Sequence, residues 1–269
     1  MTLWAVDSHV HFHKCFDESL FFDSCFNNLN KIKSSAITSG MLFFTEGKNE
    51  NFFNELRSKS KIKSSLKDKT DYVIDEFEQG IVLEVRRIEA GMRVVIFPGF
   101  QIVTKENLEV LALGVNERIR DGLLIEDTIS NVISFGGIPV LPWGFGKWFG
   151  NHGKKINEII NKSIPLLFLG DNGGRSGLLP YPNQFKFAEC KGIKILPGSD
   201  PLPFPREVNR VMSYGFTFDV NLDESKPWLS VKDKFLDKKF DPCKFGKLTS
   251  PKNFIQTQLS MQIKKRLNK

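Results

Sequence analysis

Short apolar runs alternate with polar, glycine-bearing loops along most of this chain. Leu3-Trp4-Ala5-Val6 is the first run, and its continuity predicts a buried strand. Further strands are expected over residues 35–44, 80–87, 92–98, 102–103 and 108–113, with Gly91 turning the chain between the 80–87 and 92–98 runs. From residue 123 the rhythm becomes regular. Helices are predicted over 127–134, 154–161, 183–191 and 205–213, and each is followed by a strand, at 138–141, 164–169, 193–196 and 216–218. Helix, glycine, strand, polar loop is the pattern of a parallel α/β fold. The expected architecture is a distorted (β/α)7-8 TIM-like barrel over residues 1–225, whose strand-end loops open together on one face. A doubly wound open sheet ranks second, because no Gly-x-Gly-x-x-Gly turn is present.

Three stretches break the rhythm. Residues 16–26, rich in Phe and Asp/Asn, read as a loop or short helix roofing the first strand. Residues 49–66 begin helically with Phe52, Phe53 and Leu56, then run into Arg57-Ser58-Lys59-Ser60-Lys61-Ile62-Lys63-Ser64-Ser65, which is expected to be a solvated insertion. Residues 226–269 form a lysine-rich extension, irregular to about Leu248. Ser250-Pro251 then supplies an N-cap and a first-turn proline for a final helix. Ile255, Leu259, Ile263 and Leu267 recur every fourth residue and are expected to dock that helix on the body.

At 269 residues and 41% apolar composition, the chain can bury a core of barrel size. Its net charge of +7 is unevenly placed. Of 38 basic and 31 acidic residues, 12 and 3 lie in 226–269, which leaves the body with 26 and 28. The basic balance is therefore a property of the extension, and nucleic acid is not an expected partner. No apolar run approaches the roughly 18–20 residues of a membrane span, and the amino terminus lacks the features of a secretory signal. Cys15, Cys25, Cys190 and Cys243 show no Cys-x-x-Cys spacing and read as reduced thiols of a cytoplasmic protein.

The candidate chemistry is concentrated at strand ends. Three of the four histidines fall within Asp7-Ser8-His9-Val10-His11-Phe12-His13. Strand alternation places their rings on one side, where imidazoles at i and i+2 can grip a divalent ion such as Zn, Mn or Fe, with Asp7 orienting a ligand from behind. A merely solvated polar strand end is the alternative. Glu46, Gln101, Trp143, Lys147, Asp171, Asn172, Ser199 and Asp200 also follow apolar runs, a placement that core packing does not require. Asp200, in Gly198-Ser199-Asp200-Pro201, suits a metal ligand and general base, or else a turn carboxylate bonding nearby amides. Lys147 and Arg175 lie in glycine-rich loops suited to an anionic small molecule, or are ordinary surface charges. Trp143 is a candidate pocket wall, and Gln101 a substrate hydrogen-bonding group.

With these residues in view, the chain resembles the polymerase-and-histidinol-phosphatase (PHP) superfamily, and more loosely the amidohydrolases. The resemblance rests on Asp7-x-His9-x-His11, Pro98-Gly99-Phe100-Gln101-Ile102, Leu108 to Gly114, Gly136-Gly137-Ile138-Pro139-Val140 and Gly198-Ser199-Asp200-Pro201-Leu202, in that order over residues 3–215. It implies a barrel, a cytoplasmic metal-dependent hydrolase, and a small anionic substrate such as a phosphoester or cyclic amide. Gln101 stands where the family has a metal-binding Glu and Leu202 where it has a His, and the family's His-Pro histidine has no counterpart. One or two divalent ions are then expected, with ligands drawn from His9, His11 and Asp200 and from Glu46, Glu109 and Asp171 as replacements. A catalytically degenerate barrel that binds a metabolite or serves regulation is the alternative.

Overall fold

The computed structural model describes residues 2–32, 37–64 and 71–267. The start of the expected 35–44 strand and Ser65 of the basic run lie outside them. The described strands are Thr2–Val10 (β1), Ser39–Phe44 (β2), Lys61–Ile62 (β3), Tyr72–Phe77 (β4), Val82–Arg87 (β5), Met92–Phe97 (β6), Gly99–Val103 (β7), Glu109–Leu113 (β8), Ile138–Pro142 (β9), Phe168–Asn172 (β10), Ile195–Gly198 (β11), Tyr214–Val220 (β12) and Cys243–Gly246 (β13). The α-helices are Glu18–Lys31 (α1), Phe52–Arg57 (α2), Ile125–Ser134 (α3), Gly150–Asn161 (α4), Asn183–Cys190 (α5), Pro227–Leu236 (α6) and Pro251–Leu267 (α7). None of the described helices is long and apolar enough to cross a membrane.

These strands form two sheets, ordered β13-β12-β1-β2-β6-β5-β4-β3 and β11-β10-β9-β8-β7. Successive side chains on a strand point to opposite faces, so each sheet is apolar on both sides. Met41, Phe43, Val95 and Phe97 of the first sheet meet Leu111, Leu113, Val140 and Leu196 of the second, and Val231 and Phe235 of α6 join them. The outer face of the first sheet, with Leu42, Phe44, Val94 and Ile96, is covered by Phe21, Phe22, Cys25, Phe26 and Leu29 of α1. Ile129, Ile156, Ile159, Phe185 and Ala188 of α3, α4 and α5 cover the outer face of the second. Four layers result: helices, sheet, sheet, helices.

The expected barrel is overturned, since the described residues form two sheets and no closed one. Past β6 the first sheet continues through antiparallel β5, β4 and β3, and past β1 through antiparallel β12 and β13. Parallel neighbours need a crossover of a dozen or more residues, whereas β4, β5 and β6 are joined by single short 3-10 turns. Pro98 breaks the run 92–103 in two. β6 pairs with β2 and β5, while β7 pairs with β8 in the other sheet. The basic run is no free insertion either, because β3 pairs with β4 and Ile62 is buried.

The two sheets meet at two seams, each permitted by a glycine. At one seam Glu46 N donates to Gly99 O and Gln101 N to Glu46 O, both at 3.0 Å. A Cβ on Gly99 would lie 2.5 Å from the carbonyl oxygens of both Phe44 and Ala112. At the other, Ser8 Oγ donates to Pro197 O and Asp200 N to His9 O, both at 2.9 Å. A Cβ on Gly198 would lie 2.5 Å from the His9 backbone nitrogen. That seam brings the end of β11 against the end of β1.

The extension 226–269 is interleaved with the body rather than irregular. Pro227 opens α6, β13 pairs with β12, and Phe235 and Phe240 enter the core between the sheets. The α7 stripe is turned away from its expected position. Ile255, Leu259 and Ile263 are each 59% exposed, while Phe254 and Thr257 are buried against the body; the Leu267 side chain lies outside the description. Gly198→Ala is expected to force the β1–β11 seam apart, at a cost of about 2 kcal/mol in chemical denaturation, whereas an unchanged midpoint would show that the seam has slack.

Candidate metal centre

The end of β1, the loop after β2 and the turn after β11 converge at one place. His9 and His11 are buried, with Nε2 atoms 3.1 Å apart, and Asp200 Oδ1 lies 3.5 Å from the first and 3.8 Å from the second. Donors bonded at about 2.0–2.2 Å to one ion stand roughly 3–4 Å apart, so these three atoms fit a common cation. Two imidazoles and a carboxylate suit Zn, Mn or Fe. The described residues contain a second group of suitable donors, His11, His13 and Glu50. There the Glu50 carboxylate already accepts hydrogen bonds from His13 Nδ1 at 2.7 Å, His11 Nδ1 at 3.4 Å and Gly47 N at 2.7 Å. Its evident work is to hold His11 with Nε2 turned toward His9 and Asp200, as outer partners of ligating histidines do.

Burial and neighbouring charge set the ionisation of the three donors. Burial pushes the His9 imidazolium down to about 4 against the pull of Asp200, which favours the neutral ring. Burial also opposes charge on His11, but the hydrogen bond and charge of Glu50 outweigh it and raise that ring's pKa. Asp200 is held below the ordinary carboxylate range: burial works against its charge, and His9, His11, Arg210 and Lys147 overcome it. Glu50 is likewise held far down by His11 and His13 despite burial. Asp200 has a positive φ of 46°, a strained setting for a residue other than glycine. Its N–H bond to His9 O and the hydrogen bond from Asn172 Nδ2 to its Oδ2 at 2.9 Å keep it there.

The donors lie on the floor of a cavity of about 590 Å³ that also includes Gln101, Glu109, Trp143, Lys147 and Asn172. Gln101 stands beside His9 and favours its charged form. Lys147 is ion-paired with Glu109. Asn172 Nδ2 also bonds the Trp143 carbonyl at 2.9 Å, so Asn172 orients Asp200 rather than standing free for a substrate.

Three expected site residues are not brought here. Glu46 Oε1 accepts the Phe53 amide at 2.7 Å, caps the start of α2 and is no ligand. Asp171 points to the opposite face of β10 from Asn172. There it takes two hydrogen bonds from Arg175, at 2.9 and 3.1 Å, and one from Tyr214 Oη at 2.8 Å. That buried network removes both Asp171 and Arg175 from the site. Glu109 faces the cavity as expected, but paired with Lys147 and not grouped with the three donors.

Sequence reasoning missed Glu50 and the cavity wall contributed by α7. Glu50 carried one usable signal, since it follows β2 in a Gly47-Lys48-Asn49 loop like the other strand-end groups. Of the α7 wall residues only Leu259 lay on the predicted apolar stripe, and that stripe was expected to dock on the body rather than to line a cavity.

No family model matches the chain, and no curated protein matches it. Among solved structures, the chain is similar to the crystal structure of PsfC from Pseudomonas syringae PB-5123. The match has a TM-score of 0.55 at 13% identity and covers 97% of this chain and 99% of PsfC. At that identity the likeness concerns the fold alone.

Glu50→Gln and Asn172→Ala are each expected to weaken divalent-metal affinity about 10–100-fold while the protein stays folded, as measured by competition with a chromogenic chelator. Arg175→Met is expected to cost about 3 kcal/mol of stability by stranding the Asp171 carboxylate and to leave metal affinity unchanged. A loss of affinity without loss of stability would return Arg175 to the site.

Proposed function

We propose that this chain is a divalent-metal-dependent hydrolase of the PHP/amidohydrolase type, acting on an anionic phosphoester or cyclic amide. The convergence of His9, His11 and Asp200 on the floor of a cavity is the observation that supports it most. Gln101 and Leu202, in place of ligands that a larger cluster would use, favour a single ion. An ion held by these donors supplies Lewis acidity, lowering the pKa of water to about 7 and polarising the scissile group.

The protein's own groups do the remaining work in this reading. Glu50 and Asn172 fix the ligand geometry. With Oδ1 turned to the imidazoles and Oδ2 held by Asn172, Asp200 serves as ligand, which leaves Glu109 as the second carboxylate facing the substrate space. Lys147 neutralises Glu109 until an anionic substrate group competes for its ammonium. The Glu109 carboxylate is then free to take the proton of the attacking water as the new bond to phosphorus or carbonyl carbon forms, and to return it to the leaving oxygen or nitrogen as the scissile P–O or C–N bond breaks. A second reading, metabolite binding without turnover, draws on the same Lys147–Glu109 pair, which would leave no free base if it persisted.

The purified protein is expected to carry a single divalent ion per chain by elemental analysis, lost in His9→Ala/His11→Ala. Hydrolysis of a phosphoester and cyclic-amide panel is expected to vanish on chelation and return with added metal. Full activity without metal would refute the proposal, and tight metabolite binding with no turnover in metal would select the second reading.

A further inference from the structure

The cavity is far larger than a phosphoryl or amide group needs. At about 590 Å³ it falls in the range of sites that enclose a whole small molecule, roughly 300–1,000 Å³. Its lining is segregated. The ionisable groups, with the amides of Gln101 and Asn172, lie around His9, His11 and Asp200. The walls and mouth are built from Trp143, Phe145, Leu202, Phe254, Leu259 and Met261. These come from three separate segments, the loop after β9, the turn after Asp200, and α7, so the apolar wall is not the by-product of one amphipathic element.

α7 is fastened in that position. Phe254 packs edge-on against Phe145 with ring centroids 5.1 Å apart. Arg206 donates to Thr257 Oγ1 at 3.3 Å, and Lys264 Nζ to Pro203 O at 3.0 Å. Phe145 and Leu259 nevertheless remain 45% and 59% exposed at the mouth. Gln258 and Gln262 add amide groups to the same wall. The apolar side chains outnumber these two amides on the wall, and an apolar substrate body would remove them from water.

We infer that the substrate is amphiphilic: a phosphoester whose anionic head sits over His9, His11 and Asp200 and whose alkyl or aryl body lies between the loop after β9 and α7. α7 is then the element that selects the body. The identity of the head rests on the proposed hydrolase function; the apolar wall does not.

The test titrates the metal-loaded full chain with n-alkylphosphonates from methyl to octyl, which share one head and resist hydrolysis, by calorimetry. Each methylene contributes up to about fourfold in affinity, from roughly 0.8 kcal/mol per buried CH2, and at least a hundredfold gain from methyl to octyl is expected. Phe254→Ser and Leu259→Asp are each expected to cut that gain at least tenfold. Leu259 is half-exposed, so its variant reports even if Phe254→Ser fails to fold. Affinity independent of chain length, no binding of any member, or a gain unaffected by Leu259→Asp would overturn the inference. The matching alkyl phosphates, assayed for turnover, separate the two readings. Chain-length-dependent binding without turnover keeps the amphiphilic ligand and refutes the hydrolase. Turnover with a kcat/KM indifferent to chain length keeps the hydrolase and refutes the amphiphilic ligand.

Discussion

The Asp7 carboxylate is the constraint on which the candidate site depends. It is fully buried and accepts three backbone amides: Ser199 at 2.8 Å, Met212 at 2.9 Å and His9 at 3.3 Å. Burial pushes its pKa up to about 6 despite those amides, so an ionised Asp7 is tolerated only because the three donors converge on it. Two of these donors come from segments 192 and 205 residues further along the chain. One side chain thereby ties the end of β1 to the turn carrying Asp200 and to the start of β12. Gly198 lets the strands come close enough for this to happen. The imidazole pair and the distant carboxylate meet because the backbone beneath them is stitched, not because the side chains attract one another across open space.

Above that floor, the choice between neighbouring residues follows from strand alternation. Asp171 and Asn172 are adjacent on β10, and only the second can face the cavity. The first is turned toward Arg175, Tyr214 and Lys244, where it becomes the centre of a buried ion pair. Glu46 and Glu50 divide their work similarly. Glu46 stays at the seam and caps α2, while Glu50, one turn further along, reaches back to two histidines. A carboxylate near the end of a strand is thus weak grounds for a ligand until the facing side is known.

This explains which parts were legible in the sequence. Apolar runs disclosed most strands, and His9, His11, Gln101, Glu109, Trp143, Lys147, Asn172 and Asp200, singled out as candidate site residues, do line one cavity. Strand direction was not legible, because a run such as Val82-Leu83-Glu84-Val85 looks the same in a hairpin as in a parallel crossover. The short turns joining β4, β5 and β6 hold that information, since the parallel strands of a barrel require longer, helical crossovers. In the extension, lysine density concealed the apolar residues between the charges, among them Trp228, Val231, Phe235 and Phe240.

The charge asymmetry of the chain also finds an internal account. Lysines of the basic extension reach back to the body: Lys244 Nζ lies 3.5 Å from Asp171 Oδ2, and Lys232 donates to Gly136 O at 2.8 Å. Both ammonium groups are themselves partly exposed, so these contacts orient the segment more than they hold it. The holding falls to apolar contacts, Phe235 and Phe240 against Phe168, Phe216 and Phe218, and Phe254 against Phe145. A segment that looked like a basic appendage in one dimension therefore supplies core, sheet edge and cavity wall in three. Its final helix stands over His9, His11 and Asp200 because the aromatic anchors before it leave the chain at that rim.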